Sequence, residues 1–132
     1  MDSRQDLAAL VGRVLLAWIF MWAGYGKVMG YDGTAGYMAS TGLPMVGVLL
    51  PLTILLELSG GIALIIGWKA RWVALALAVF TLFASLMFHN FWAMQPEAVM
   101  TNTLLFYKNV AIIGGLLMVF AFGPGRFSVD RG

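Results

Sequence analysis

Four long apolar runs dominate the sequence and decide what it can fold into. They cover residues 7–28, 46–68, 72–91 and 103–122, and each approaches or exceeds the roughly 20 residues that a helix needs to cross a hydrocarbon layer of about 30 Å. Of the 132 residues, 61% are hydrophobic and only 11% are charged, which is too little charge to cover the outside of a soluble domain. The runs lack the polar and apolar alternation of membrane barrels. We therefore predict an all-α, integral membrane four-helix bundle that forms a single domain over residues 1–132.

The segment between the first two runs is too polar to cross a membrane. Residues 34–41 are long enough for about two helical turns, with Asp32 or Thr34 available as the N-cap and Gly42 followed by Pro44 as the stop. We expect a short interfacial helix that lies over the bundle between helices 1 and 2.

The basic residues predict how the bundle is oriented. Lys27 and Lys108 lie towards the side of the first and third loops, and the other basic residues lie towards the side shared by the N-terminus, the second loop and the C-terminal tail. The latter group is Arg4, Arg13, Lys69, Arg71, Arg126 and Arg131. Because loops rich in Lys and Arg stay in the cytoplasm, we expect both the N- and C-termini to be cytoplasmic.

Several residue patterns are missing from the sequence, and their absence narrows the function. There is no cysteine, which excludes disulfides, thiol redox relays, iron-sulfur clusters and thiolate metal sites. The one histidine cannot supply both ligands of a bis-histidine haem. No glycine-rich phosphate loop, serine nucleophile motif or two-carboxylate metal site occurs. The basic residues are scattered singly, so we expect no nucleic-acid binding. We predict no catalytic residues, no metal site and no intrinsic cofactor; a redox role would need a borrowed cofactor such as quinone.

Glu57 is the most unusual residue, because it lies near the middle of the second apolar run. A charge at the centre of a bilayer costs on the order of 3 kcal/mol on insertion scales. The carboxyl group must therefore be protonated or meet a cation. The candidates are Lys108 near the start of the fourth helix, Lys27 at the end of the first and His89 at the end of the third.

The four helices thus send polar groups towards one half of the bundle, and this predicts a polar pocket with Glu57 as its floor. The candidates for ligand binding or proton transfer are Lys27, Glu57, His89, Lys108, Asn109, Tyr25 and Asn90. A structural alternative stands beside this hypothesis. A Glu57–Lys108 pair could simply set the helix register, His89 could be an interfacial residue, and Lys27 could extend towards the membrane surface. For Arg13 we expect contact with lipid phosphate.

The order of several segments resembles one family of membrane proteins. "LLAWIFMWAGYGKVMG", "ELSGGIALIIGWKARWVALALAVF", "FYKNVAIIGGLL" and "GPGRFSVD" are similar, in this order, to the DoxX family of small bacterial inner-membrane proteins. The resemblance implies a four-helix, multi-pass protein of the bacterial inner (plasma) membrane, and a link to quinone-dependent redox complexes and oxidative-stress defence. The polar positions of the family fall on Lys27, Glu57, His89, Lys108 and Asn109. Without cysteine, the chain cannot itself carry out persulfide exchange.

Three functions are compatible with these features. The first is a membrane subunit or accessory protein of a redox system, such as the membrane subunit of a quinone-linked oxidoreductase, which binds a quinone or a similar amphiphile and works with a redox partner protein. The second is a non-enzymatic scaffold or assembly partner whose polar cluster is structural. The third and least favoured is a small carrier, which would need a homo-oligomer because four helices are few for alternating access. In each case the lipid bilayer is the surrounding partner.

Overall fold

A computed structural model describes residues 2–132, and over this range the regular structure is helical. The helices are α1 (Ser3–Met29), α2 (Tyr31–Ser40), α3 (Val46–Ile66), α4 (Ala70–Phe88) and α5 (Pro96–Phe122), with a single 3-10 turn at Phe91–Ala93 before α5. All except α2 are long and apolar enough to cross a membrane. The prediction of an all-α membrane bundle of four spanning helices is confirmed.

Four helices, α1, α2, α4 and α5, begin earlier than the sequence predicted, and the starts of α2 and α5 have a clear local cause. The short helix between the first two spans is present as α2, but it starts at Tyr31 and its N-cap position is Gly30, which makes no side-chain cap bond. The expectation that Asp32 or Thr34 would cap it was wrong, because α1 runs on to Met29 and only Gly30 separates the two helices. α5 starts at Pro96, where the missing N–H of proline is not needed in the first turn.

The apolar core lies in one half of the bundle. Ala17 and Phe20 of α1, Leu64 of α3, Leu77 of α4 and Leu116 of α5 are all buried there. Large apolar side chains also cover the outside, where Leu15, Trp18 and Trp22 are about two-thirds exposed. Such a surface requires lipid rather than water around it.

α1 and α3 run antiparallel and approach each other closely through glycines. A Cβ on Gly24 would lie 3.3 Å from the Cβ of Glu57, and a Cβ on Gly61 would lie 2.7 Å from Cγ of Met21. Small residues at helix crossings let two backbones approach in lipid, where packing rather than water exclusion holds helices together. The glycines therefore bring the middle of α3 against α1.

The residues after α5 fold back across one end of the bundle. We call residues 123–132 the tail, the end it covers the tail end, and the opposite end the far end. The backbone N–H groups of Val129 and Asp130 donate to the carbonyl oxygens of Ile66 and Gly67 at 2.9 and 3.0 Å. The carboxylate of Asp130 accepts from the N–H groups of Lys69 and Ala70 at 2.9 and 2.8 Å, and so satisfies donors at the start of α4.

Near the N-terminus, buried Asp6 holds the tail as well. Its Oδ1 atom accepts a hydrogen bond from the backbone N–H of Arg126 at 2.9 Å. Together, the contacts of the tail place both termini and the turn between α3 and α4 at the same end of the molecule.

Arg13 is the centre of the tail end and is only 1% exposed. Its Nη1 atom donates to the carbonyl oxygens of Leu64 and Ile65 at 2.7 and 2.8 Å, and its Nε atom donates to the carbonyl oxygen of Pro124 at 2.9 Å. Nη2 donates to the carbonyl oxygen of Phe127. The last carbonyls of a helix have no partner within it and carry partial negative charge, so the end of α3 is suited to a guanidinium. The expected contact of Arg13 with lipid phosphate was wrong.

We predict that Arg13→Met lowers the free energy of unfolding by about 3 kcal/mol, because several charge-assisted hydrogen bonds are lost and buried carbonyls are left without donors. Unfolding in mixed detergent and dodecyl sulfate measures the stability, and hydrogen exchange of residues 126–130 measures the docking of the tail. Arg4→Met is the matched control, because the Arg4 side chain is 92% exposed. Equal stability and equal exchange in the two variants would contradict this assignment.

Candidate functional site

Glu57 lies at the contact between α1 and α3 and is paired with Lys27. The Lys27 Nζ atom lies 2.8 Å from Glu57 Oε1, and the two side chains are 26% and 4% exposed. Glu57 is eleven residues beyond the start of α3 at Val46, or about 16 Å along the axis at roughly 1.5 Å per residue. The carboxylate is therefore near the middle of the span, where charge without a partner is most costly.

The direction of helical side chains explains why Lys27 is the partner. Cα–Cβ bonds in an α-helix tilt towards its N-terminus. Lys27 is close to the C-terminal end of α1, so its side chain leans back into the bundle, towards the level where Gly24 packs against Glu57. The same tilt directs the side chain of Lys108, in the N-terminal half of α5, towards the nearer membrane surface.

Of the three candidates for the cation that meets Glu57, Lys27 is confirmed, and the alternative pair of Glu57 with Lys108 is not found. Lys108 is exposed, and within residues 2–132 the ion pair that Glu57 makes is the one with Lys27. The next residue, Asn109, faces α4 instead, where its Nδ2 atom donates to Ser85 Oγ at 2.9 Å. Neighbouring positions on a helix are about 100° apart, so a helix that turns Asn109 inward turns Lys108 outward.

Between α4 and α5 lies a second set of polar contacts. His89 Nδ1 and Asn102 Oδ1 are 2.9 Å apart, and Asn102 Nδ2 donates to the carbonyl oxygen of Ala98. Ser85, which accepts from Asn109 and is only 1% exposed, donates to the carbonyl oxygen of Thr81 at 2.7 Å. Polar side chains that bond across or along helices in this way hold membrane helices together. His89 and Asn109 are therefore joined to α4–α5 partners rather than to Glu57.

Two further candidates are separate from the ion pair. Tyr25 is 61% exposed and lies two residues from Lys27, on another face of α1. Asn90 is half-buried at the start of the 3-10 turn, where its carbonyl oxygen accepts from the N–H of Ala93 at 3.0 Å. The polar residues predicted to line one pocket thus form two separate groups, one between α1 and α3 and one between α4 and α5.

Sequence reasoning missed Ser85, Asp6 and Asp130, and it expected only a lipid contact for Arg13. Ser85 follows Thr81 by four residues on the same helical face, and this spacing was the signal for a polar stripe on α4. No local pattern indicates the partners of Arg13, because the tail carbonyls it meets are more than 100 residues away, 111 for Pro124.

The Lys27–Glu57 pair offers hydrogen-bond donors to a polar ligand and a carboxyl group that can exchange a proton. An ammonium group has three N–H donors, and Glu57 faces only part of it, while the Lys27 side chain keeps about a quarter of its exposure. Among the residues that the structure describes, the Lys27 ammonium at 2.8 Å is the polar partner of Glu57. Donor and acceptor capacity therefore remains for an oxygen-bearing group. Over residues 2–132, no three potential ligands among His, Cys, Asp and Glu come together as a metal site would require.

We predict that Lys27→Met lowers the free energy of unfolding by about 2 to 3 kcal/mol, because it leaves a buried carboxyl group without its cation. Glu57→Gln costs less, since the freed ammonium of Lys27 can extend to the membrane surface. The double variant recovers most of the loss, and unfolding in mixed detergent and dodecyl sulfate gives the coupling energy. Lys108→Met is the matched control with no loss; additive effects of the Lys27 and Glu57 changes would contradict the pairing.

Comparison with known proteins gives a consistent set of relatives. A family model described as DoxX matches residues 8–90. "Inner membrane protein YqjF" of Escherichia coli (strain K12) is 44% identical over 131 residues, 99% of this chain and 95% of that protein. "Inner membrane protein YphA" of the same strain is 36% identical over 98% of this chain and 92% of its own length.

A more distant relative is much longer. The "Surfeit locus protein 4 homolog" of Schizosaccharomyces pombe is 30% identical over 98% of this chain, which covers 38% of that protein. No solved structure matches the chain significantly. With a family model over residues 8–90 and two relatives that match nearly its whole length, the chain belongs to the DoxX family of inner-membrane proteins.

Proposed function

We propose that the protein binds the head group of a quinone or a similar small amphiphile at Lys27 and Glu57 and serves as an accessory subunit of a redox system. The observation that carries this proposal is a charged lysine that is only partly used by its buried partner. Glu57 is almost fully buried and contacts Lys27 at 2.8 Å, while Lys27 stays partly exposed. An ammonium group has three N–H donors, so Lys27 can pair with Glu57 and still donate to a ligand.

The surroundings of the pair suit an amphiphile. The apolar core is concentrated in the tail half, whereas the pair extends from Glu57 near the middle of α3 to Lys27 at the far end of α1. Lipid-facing side chains surround the helices there. A quinone carbonyl would accept a hydrogen bond from the Lys27 ammonium, and its apolar tail would lie along the helices. Glu57 would balance the lysine charge and could pass a proton towards the far end.

The redox part of the proposal rests on the link to redox complexes that the resemblance to the DoxX family implies, and not on the geometry of the ion pair. The chain has no cysteine, so electrons would reach a bound quinone through a redox partner protein. The charge distribution supports an orientation in which both termini and the tail end are cytoplasmic and the Lys27–Glu57 site opens towards the other leaflet. Formation of a homo-oligomer stays a prediction.

We predict that a short-chain ubiquinone stabilises the purified protein by about 1.4 kcal/mol at ten times its Kd. Lys27→Met should remove this stabilisation, because the donor to the quinone carbonyl is lost, whereas Lys108→Met should keep it. The measurement is a thermal unfolding series in detergent, with an alkyl chain of equal length that lacks the quinone ring as the ligand control. Absence of stabilisation in the unaltered protein, or equal stabilisation by the alkyl chain, would refute quinone binding.

A second function is favoured by the position of the pair. Lys27 and Glu57 join α1 and α3 where Gly24 packs against Glu57 and Leu58. The pair could therefore have a purely structural role and hold the two helices together in a scaffold or assembly partner. In that case the double variant Lys27→Met with Glu57→Gln, once shown to fold, should complement a deletion strain fully. Loss of complementation by a folded double variant would exclude the scaffold.

A further inference from the structure

An apolar groove runs along the lipid-facing side of α3 and α4 from the level of Glu57 to the tail end. It has a volume of about 310 Å³, and its walls include Leu56, Ala63 and Ile66 of α3 and Val73 and Ala76 of α4. From Leu56 to Ile66 the groove follows ten residues of helix, or about 15 Å. This is the shape of a channel for a hydrocarbon chain rather than for a compact polar molecule.

The lining of the groove offers almost no hydrogen bonds. Its one hydroxyl group belongs to Ser59, which already donates to the carbonyl oxygen of Leu55. Ile62 and Trp68 at its edges are about half exposed, so the groove is open sideways to the acyl chains of the membrane. Only an apolar occupant can fill it without losing hydrogen bonds to water or to lipid head groups.

The groove ends at a basic surface on the tail end. Trp68 forms its last wall, and the Lys69 Nζ atom lies 5.2 Å from the centre of the Trp68 ring. Lys69 and Arg71 also line an adjoining cavity of about 390 Å³, with Trp72 and Asp130. Lys69 thus connects the apolar groove to a polar cavity at the level of the lipid head groups.

The charge of this surface favours an anion. Asp130 is the acidic side chain in the cavity, but both of its carboxylate oxygens are occupied by the N–H groups of Lys69 and Ala70. The tail end as a whole has more basic than acidic side chains. The basic residues are Arg4, Arg13, Lys69, Arg71, Arg126 and Arg131, and the acidic ones are Asp2, Asp6 and Asp130. Of the basic residues, Arg13 is buried and used internally.

We propose that this part of the molecule is a binding site for an anionic phospholipid of the leaflet at the tail end. One acyl chain lies in the groove between α3 and α4, and the phosphate lies over Lys69 and Arg71. Lys69 is the main specificity residue, because the Arg71 Nη1 atom already donates to the carbonyl oxygens of Phe120 and Ala121 at 3.3 and 3.0 Å. The site differs from the proposed amphiphile site, because the groove lies on the α4 side of α3, whereas Glu57 contacts Lys27 of α1.

Native mass spectrometry of the full chain with equal amounts of phosphatidylglycerol and phosphatidylcholine of the same acyl chains tests the site. We expect preferential retention of phosphatidylglycerol, and about a five-fold loss of this preference in Lys69→Gln, the factor for one basic residue at an anionic membrane surface. Arg4→Gln, an exposed residue at the same end, is the control that should keep the preference.

The acyl-chain part of the site is tested separately. Ala76→Phe fills the groove and should lower phosphatidylglycerol retention several-fold, whereas Ala111→Phe, at an exposed position on α5, should not. Glycerol 3-phosphate, which has the phosphate without acyl chains, should not displace the lipid. Folding of each variant is checked by circular dichroism and gel filtration, and Lys69→Gln decides the question if Ala76→Phe does not fold.

Three results would overturn the proposal. Equal retention of the two lipids by the unaltered protein would remove the anionic preference, and equal losses in Lys69→Gln and Arg4→Gln would show a diffuse basic surface instead of a site. Displacement by glycerol 3-phosphate would show a site for free phosphate. None of these results bears on quinone stabilisation, which depends on Lys27.

Discussion

A charge that a helix carries into hydrocarbon must find its partner inside the protein, and the bundle meets this constraint in two different ways. Arg13 is surrounded by backbone carbonyl oxygens from the end of α3 and from the tail, so that its hydrogen-bond acceptors are peptide dipoles rather than a carboxylate. Glu57 is stabilised by a single full charge on Lys27. Every nitrogen of the Arg13 guanidinium has a hydrogen-bond acceptor, and these contacts close one end of the bundle. The Lys27 ammonium, in contrast, has N–H donors that Glu57 does not use.

This difference divides the molecule into halves with different properties. In the tail half, apolar side chains of four helices form the core, and the tail ties the ends of α1, α3 and α4 together. In the far half, polar contacts are spread between two helix pairs. The rigidly packed end keeps the bundle folded, and the partly exposed ion pair near the middle is available to a ligand. This combination would let a small molecule bind between helices without unfolding the protein.

Much of this architecture could be predicted from the sequence, because hydrocarbon imposes simple rules. The lengths of the apolar runs predicted the spans, and the depth of Glu57 predicted a buried charge with a basic partner. The choice of Lys27 over Lys108 also follows from an elementary property, the tilt of side chains towards the helix N-terminus. The docking of the tail could not be predicted, because Arg13 and Pro124 are 111 residues apart and only the assembled bundle brings them together.

The pairing of Arg13 with the tail has a consequence for biogenesis. The guanidinium enters the membrane with the first helix, but the carbonyls that complete its coordination belong to residues 124 and 127, which are synthesised more than 100 residues later. Until those residues are made, water or lipid head groups must supply the missing acceptors. The final coordination of Arg13 therefore forms only after residues 124–127 have been synthesised, and a product that ends before them leaves this charge incompletely solvated.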